Sequence, residues 1–183
     1  MKQSKKILKN LFSLSVAEAA NKGIVFVYNA YLARVILPEG FGIIGFATAY
    51  LMYFLLFVNL GFNTVGAREI AKDHSRTNKL VNTILTLRTI IAFVAYAVLF
   101  LTAFLLDKPM MVKWVIWISG LNLFANAFLV DWVYHGNEKM EFLALRQVIT
   151  SVLNLTGIIL LVHQKDDVVI AMIVTVISTS LNT

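Results

Sequence analysis

Six apolar runs divide this chain, at approximately Leu11–Leu37, Phe41–Leu60, Leu80–Leu106, Met110–Val130, Leu143–Val162 and Val168–Leu181. A helix rising 1.5 Å per residue needs about 20 apolar residues to cross a hydrocarbon core about 30 Å thick. Five of the runs reach that length and the sixth is shorter. The expected fold is therefore all-α: a polytopic transmembrane bundle of about six helices, with residues 1–183 as a single transmembrane domain. Turn chemistry marks the boundaries. Pro38-Glu39-Gly40 is expected to end the first helix, Asp107-Lys108-Pro109 to separate the third from the fourth, and residues 164–167 to precede the sixth. The sixth run has no basic or aromatic anchor before Thr183, so truncation inside or just after that helix is expected.

Composition agrees. Hydrophobic residues make up 59% of the chain, against about 45–50% in soluble domains. There is no cysteine, which excludes disulfides and thiolate metal sites. The net charge of +6 does not point to nucleic acid: the basic residues gather at the ends of the apolar runs, and no RNA- or DNA-binding signature accompanies them. The start resembles a signal peptide, with Lys2, Lys5 and Lys6 ahead of Ala17-Glu18-Ala19. However, Lys9 and Asn10 interrupt the required apolar region and the apolar run continues past it, so the first helix is read as uncleaved.

The distribution of Lys and Arg gives orientation. With a cytoplasmic N-terminus, the inner side carries Lys2, Lys5, Lys6, Lys9, Arg68, Lys72, Arg76, Lys79, Lys139 and Arg146. The outer side carries Arg34, Lys108, Lys113 and Lys165. Trp114, Trp117 and Trp132 fall near the ends of the fourth run, where interfacial aromatics are expected.

Glu18 and Lys22 lie inside the first run. Charges at bilayer depth cost on the order of 2.5–3.5 kcal/mol each, and such residues usually face a protein or water-filled interior. The Leu, Ile, Val and Phe residues of this run contribute about −4 to −5 kcal/mol together, against about 5–7 for the two charges. The helix is thus marginal alone. A Glu four residues before a Lys can pair along the helix, which lowers the cost. At 100° per residue, Glu18, Asn21, Lys22, Tyr28 and Asn29 share one sector. Further polar stripes run along the fourth helix (Ser119, Asn122, Asn126), the fifth (Gln147, Thr150, Ser151, Asn154) and the sixth (Thr175, Ser178, Thr179). Singly, such residues bond neighbouring helices; jointly they point to a hydrated cavity. Arg88, some eight residues into the third run, either snorkels to the cytoplasmic surface or faces that cavity.

Three stretches carry a family resemblance. Ala33-Arg34-Val35-Ile36-Leu37-Pro38-Glu39-Gly40-Phe41-Gly42 resembles the loop after the first helix of polysaccharide transporters. Asn59-Leu60-Gly61-Phe62, continuing to Gly66-Ala67-Arg68-Glu69-Ile70-Ala71-Lys72, is similar to their second-helix exit. The stretch from Asp131-Trp132 to Tyr134-His135-Gly136-Asn137-Glu138-Lys139-Met140 resembles their fourth-to-fifth-helix loop. Ile36, Asn59 and Asn137 stand where Gly, Asp and Leu are usual. The family is that of the Wzx-type O-antigen and repeat-unit flippases, in the superfamily of lipid II flippases and multidrug and toxin extruders.

The resemblance implies one six-helix lobe of a two-lobe flippase, with a C-terminal lobe missing in cis. It implies transport of a polyprenyl-pyrophosphate-linked oligosaccharide across the bacterial inner membrane by alternating access, in contact with membrane lipid. A polysaccharide polymerase is a candidate partner; no cofactor, metal or enzymatic activity is implied. Lys22 and then Arg88 would meet the pyrophosphate. Asn21, Asn29, Asn122, Asn126, Gln147 and Asn154 would meet sugar hydroxyls. Glu18 would orient Lys22, couple transport to a proton or cation, or form a structural ion pair. The competing functions are a drug or toxin exporter of the same superfamily and a membrane-embedded glycosyltransferase. For the latter, the sequence offers only the adjacent pair Asp166-Asp167 and the scattered His74, His135 and His163.

The orientation is open to a direct test. Cysteines placed singly at His74 and Lys108 are expected to differ in intact cells: a membrane-impermeant maleimide should label position 108 and spare position 74. The reverse pattern would invert the topology.

Overall fold

The structure, a computed structural model, describes the backbone of residues 2–136 and 140–181, and the side chains from Glu18 onward except at residues 76, 136, 140, 141 and 144. Residues 137–139 of the third motif and the side chains of Lys2, Lys5, Lys6 and Lys9 lie outside the described residues.

The apolar runs fold into helices. The described residues form nine α-helices and one 3-10 turn (His74–Arg76), and no strand. The helices are α1 (Lys2–Val35), α2 (Leu37–Asn59), α3 (Phe62–Lys72), α4 (Thr77–Leu105), α5 (Met110–Gly120), α6 (Asn122–Phe128), α7 (Asp131–Gly136), α8 (Met140–Leu161) and α9 (Val168–Ser180). Among the described residues, three stretches are long and apolar enough to cross a membrane: Leu37–Lys72, Thr77–Leu105 and Met110–His135. Leu145–Leu161 and Val168–Ser180 are shorter apolar helices.

The boundaries depart from the sequence expectation in three places. Pro38-Glu39-Gly40 does not separate two helices but lies in the first turn of α2, where a missing N–H leaves no bond unmade. The bend falls just before it, and Leu37 takes a left-handed φ of 61°, which a side chain rarely adopts. The second run ends as expected, with Leu60 as the C-cap of α2, but a further helix follows it. The chain turns through Leu60 (φ 30°) and Gly61 (φ 77°) and resumes as α3; glycine meets the second of these angles without a Cβ clash. The fourth run is interrupted, most sharply where Leu129 becomes extended after α6.

α1 runs parallel to α8. Asn21 meets Ser151 at one level, and the Tyr31 hydroxyl donates to the Val162 carbonyl (2.9 Å) farther along. α2 is central, touching α1, α4, α5, α6 and α9. The main core includes Leu32, Ala47, Leu51, Leu99, Ile116, Leu123, Ile158 and Met172. A smaller cluster of Ile70, Ile84 and Trp132 joins α3, the start of α4 and α7 at one end of the bundle. Met52, Leu56 and Phe57 on α2, and Phe93, Val94, Leu101 and Phe104 on α4, stay exposed, as lipid-facing positions should.

Trp132 does not join an interfacial belt. It is fully buried, because α3 presents Gly66 to its indole and leaves room for the ring. Trp117 is buried too, stacked on Phe100 with its Nε1 donating to the Phe100 carbonyl (3.3 Å). Of the three tryptophans only Trp114 is exposed. Small residues set the close helix contacts. A Cβ at Gly40 would come within 2.8 Å of Val168, and one at Gly157 within 2.7 Å of Val174.

The loops at the opposite end are tied by polar contacts. Lys113 donates to the Phe104 carbonyl (2.9 Å) at the end of α4. Lys108 sits 5.9 Å from the centre of the Phe46 ring. The Asp167 carboxylate accepts the backbone N–H groups of His163 (2.9 Å) and Gln164 (2.8 Å). Those two bonds, His163 first, hold its pKa below the ordinary 3.8.

Two predictions follow from this packing. Gly66→Ala should destabilise the protein by about 1–3 kcal/mol, the usual scale of core overpacking. Gly45→Ala, where a Cβ meets nothing within 4 Å, should be neutral or stabilising by up to about 1 kcal/mol. Thermal unfolding of purified variants in detergent distinguishes them. For Asp167, the depressed folded pKa means its stabilisation is complete above 3.8 and disappears as pH falls through the folded value. Asp167→Ala should therefore lower the melting temperature at neutral pH, and the gap to wild type should close well below 3.8.

Candidate functional site

α1 supplies the one oppositely charged pair that the described residues of the apolar runs place on an open face. Lys22 Nζ lies 3.4 Å from Glu18 Oε1, and their side chains are 76% and 59% exposed. The spacing of four residues brings them together on one side of the helix. The remaining polar residues of that sector turn inward by degrees: Asn21, Tyr28 and Asn29 are half-buried. Asn21 Oδ1 accepts from the Ser151 hydroxyl of α8. Because α1 and α8 run parallel from that contact, Gln147, one turn before Ser151 and exposed, lies level with Glu18.

The other stripes are largely internal to the bundle. Asn122 and Asn154 are buried and Asn126 half-buried. Asn126 donates to the Asn122 carbonyl (3.1 Å) and Ser119 to the Ile116 carbonyl (2.8 Å). Thr150, Thr175 and Thr179 each donate to a carbonyl four residues earlier, and Thr175 also reaches Asn154 across α8 and α9 (3.5 Å). The structure thus joins Asn21 to α8 and Asn154 to α9, and leaves Glu18, Lys22 and Gln147 open.

Arg88 neither snorkels nor opens onto a cavity. It is 1% exposed. One guanidinium nitrogen donates to the Leu129 carbonyl (2.9 Å) and approaches Asn63 Oδ1 (3.4 Å). The other donates to Asn59 Oδ1 (2.9 Å) and the Asn126 carbonyl. Every one of these acceptors is neutral. Hydrogen bonds to a charged group contribute about 1.5–3 kcal/mol each, and a helix C-terminus adds up to about 2 for a nearby cation. Such contacts offset the cost of desolvating a buried ion, while Arg88 Nε is buried without a hydrogen-bond partner.

Sequence reasoning missed Asn59 and Asn63 as partners of Arg88. Their spacing of four at the end of an apolar run was the available signal. It also missed the ion pair between Asp131 on α7 and Arg146 on α8, which no local pattern announces. Among the described residues, no group of three or more His, Cys, Asp or Glu could hold a metal ion. His74, His135 and His163 are exposed, and Asp167 is engaged by its own loop.

An all-helical bundle with long apolar spans and charges at membrane depth defines a multi-pass membrane protein. More particularly, the chain belongs to the polysaccharide biosynthesis protein family, whose signature matches residues 7–183. It is similar to a protein of Escherichia coli (strain K12) named "Putative O-antigen transporter", with 29% identity over 166 residues, covering 89% of this chain and 40% of that protein. A protein of the same name from Shigella dysenteriae is 28% identical over 174 residues, covering 90% of this chain and 42% of that protein. The chain therefore spans about two fifths of the length of the curated relatives it matches. No solved structure matches.

Proposed function

We propose that this chain is one lobe of a transporter that moves a polyprenyl-pyrophosphate-linked oligosaccharide, such as an O-antigen repeat unit, across the bacterial inner membrane. The observation that carries the reading is the exposed Glu18–Lys22 pair on α1. Two charges turned toward hydrocarbon would cost on the order of 5–7 kcal/mol. The face of α1 that bears them is therefore turned to a polar space, closed on its far side by a second lobe supplied in cis. The names and greater length of the relatives support both parts of the reading.

In this reading Lys22 meets the pyrophosphate. Arg88 is already held by oxygens on α2, α3 and the end of α6, so the anion falls to Lys22. Gln147 and Asn29 line the same face and meet sugar hydroxyls. Glu18 holds Lys22 in place and is the candidate for ion coupling. The N-terminus is cytoplasmic, access alternates between the two lobes, and a polysaccharide polymerase receives the product. The chain itself performs no bond chemistry.

The test uses the full-length protein in a flippase-deficient strain. Lys22→Ala should abolish transport of the lipid-linked sugar while protein levels stay near normal, and Lys22→Arg should retain part of the activity. The double change Glu18→Gln with Lys22→Gln removes both charges and strands neither. It should be well expressed and inactive. A double mutant that transports at the wild-type rate would remove Lys22 as the substrate anchor.

A further inference from the structure

The bundle has two hydrophobic clusters, and Arg88 lies between them. The larger cluster fills the bundle of α1, α2, α4, α5, α6, α8 and α9. The smaller one, Ile70, Ile84 and Trp132 with Phe62, Ala67, Leu80, Val81 and Val133 around it, joins α3, α7 and the first turns of α4 into an end layer. Two of the connections between bundle and layer are broken helices. α2 passes to α3 through Leu60 and Gly61, both with positive φ, and α6 passes to α7 through the extended Leu129. A third, α4, is continuous and carries Arg88 at the boundary, and α7 is also tied to α8 by the Asp131–Arg146 ion pair.

The acceptors of Arg88 are the edges of those two breaks. Asn59 is the last residue of α2 and Asn63 lies in the first turn of α3. The Asn126 and Leu129 carbonyls belong to the last turn and the C-cap of α6. A kinked helix leaves backbone carbonyls without partners, and in hydrocarbon these need a donor. A planar guanidinium with five N–H groups in a fixed fork can serve several oxygens at once; an ammonium is a point charge on a flexible stem.

We propose that Arg88 is a positioning residue that acts as a hinge pin: it holds the α3–α7 layer in register with the bundle by bridging the two helix breaks, and loosening it frees the layer to pivot at Leu60–Gly61 and Leu129–Val130. The inference does not rest on what the protein transports. Its consequence is that movement at this end of the lobe occurs as a unit, with α3 and α7 travelling together.

These 183 residues contain no cysteine, and any cysteine elsewhere in the full-length protein is replaced by serine, so that labelling reads one position at a time. In the full-length protein, single cysteines are placed at Ile70 in the layer and at Ala47 in the bundle, both fully buried, and the rate of labelling by a small maleimide is measured. Arg88→Lys should raise the rate at position 70 by at least roughly tenfold, the equivalent of one charge-assisted hydrogen bond. The rate at position 47 should stay unchanged. Should Arg88→Lys fail to accumulate, Asn63→Ala, which removes the acceptor on the layer side from an exposed position, should raise labelling at position 70 by roughly two- to fivefold, the scale of one ordinary bond. Equal increases at both positions would mean general destabilisation, and no increase at position 70 would mean the layer is held by packing and the Asp131–Arg146 ion pair without Arg88. Either result would overturn the pin.

Discussion

A helix cannot simply stop in hydrocarbon. Its last carbonyls have no water to turn to, so something in the protein must donate to them. This requirement bears on much of the bundle. Arg88 meets it at the end of α6; at the loop end of the bundle, Lys113 donates to the end of α4 and Tyr31 to the carbonyl just past α8. Each donor comes from a different helix than the end it serves, so satisfying a backbone group also fixes the angle between two helices. The hydroxyls of Thr89, Thr102, Thr150 and Thr175 satisfy their own donors within a helix, by bonding the carbonyl four residues back.

Much of the architecture was legible because hydropathy and length speak directly about membrane helices. The apolar runs, the loop at Asp107–Pro109 and the salience of Glu18 and Lys22 all come from patterns of one residue type along the chain. What was not legible depends on contacts between distant segments. Nothing near Trp132 says that Gly66 will lie opposite it and leave space for an indole. Nothing near Arg88 says that the fourth run will break at Leu129 and expose carbonyls for it. The polar stripes misled for a related reason. A stripe of Asn, Ser and Thr at helical spacing suits a wet lumen and a helix contact equally well, and in α6, α8 and α9 most of it is taken up by helix contacts and backbone carbonyls.

The contrast between Arg88 and Lys22 separates two uses of charge in one membrane. Arg88 is enclosed by neutral oxygens that its flat, branched head can reach together. Lys22 has one partner, one helical turn away, and an otherwise open face. The first arrangement stabilises the lobe as it stands. The second leaves both charges on an open face, and for that reason the proposed anion site is on α1.

The parallel pairing of α1 with α8 also bears on how the protein is made. Asn21 and Ser151 are separated by 130 residues. At a synthesis rate of about 5–20 residues per second, α1 emerges roughly 7–25 seconds before the segment that will hold its flank. During that interval a marginally apolar helix carrying two charges has α2 beside it but not the neighbour that covers its polar flank. α1 is thus made well before its polar flank is covered, and the insertion machinery must shelter that flank until α8 arrives.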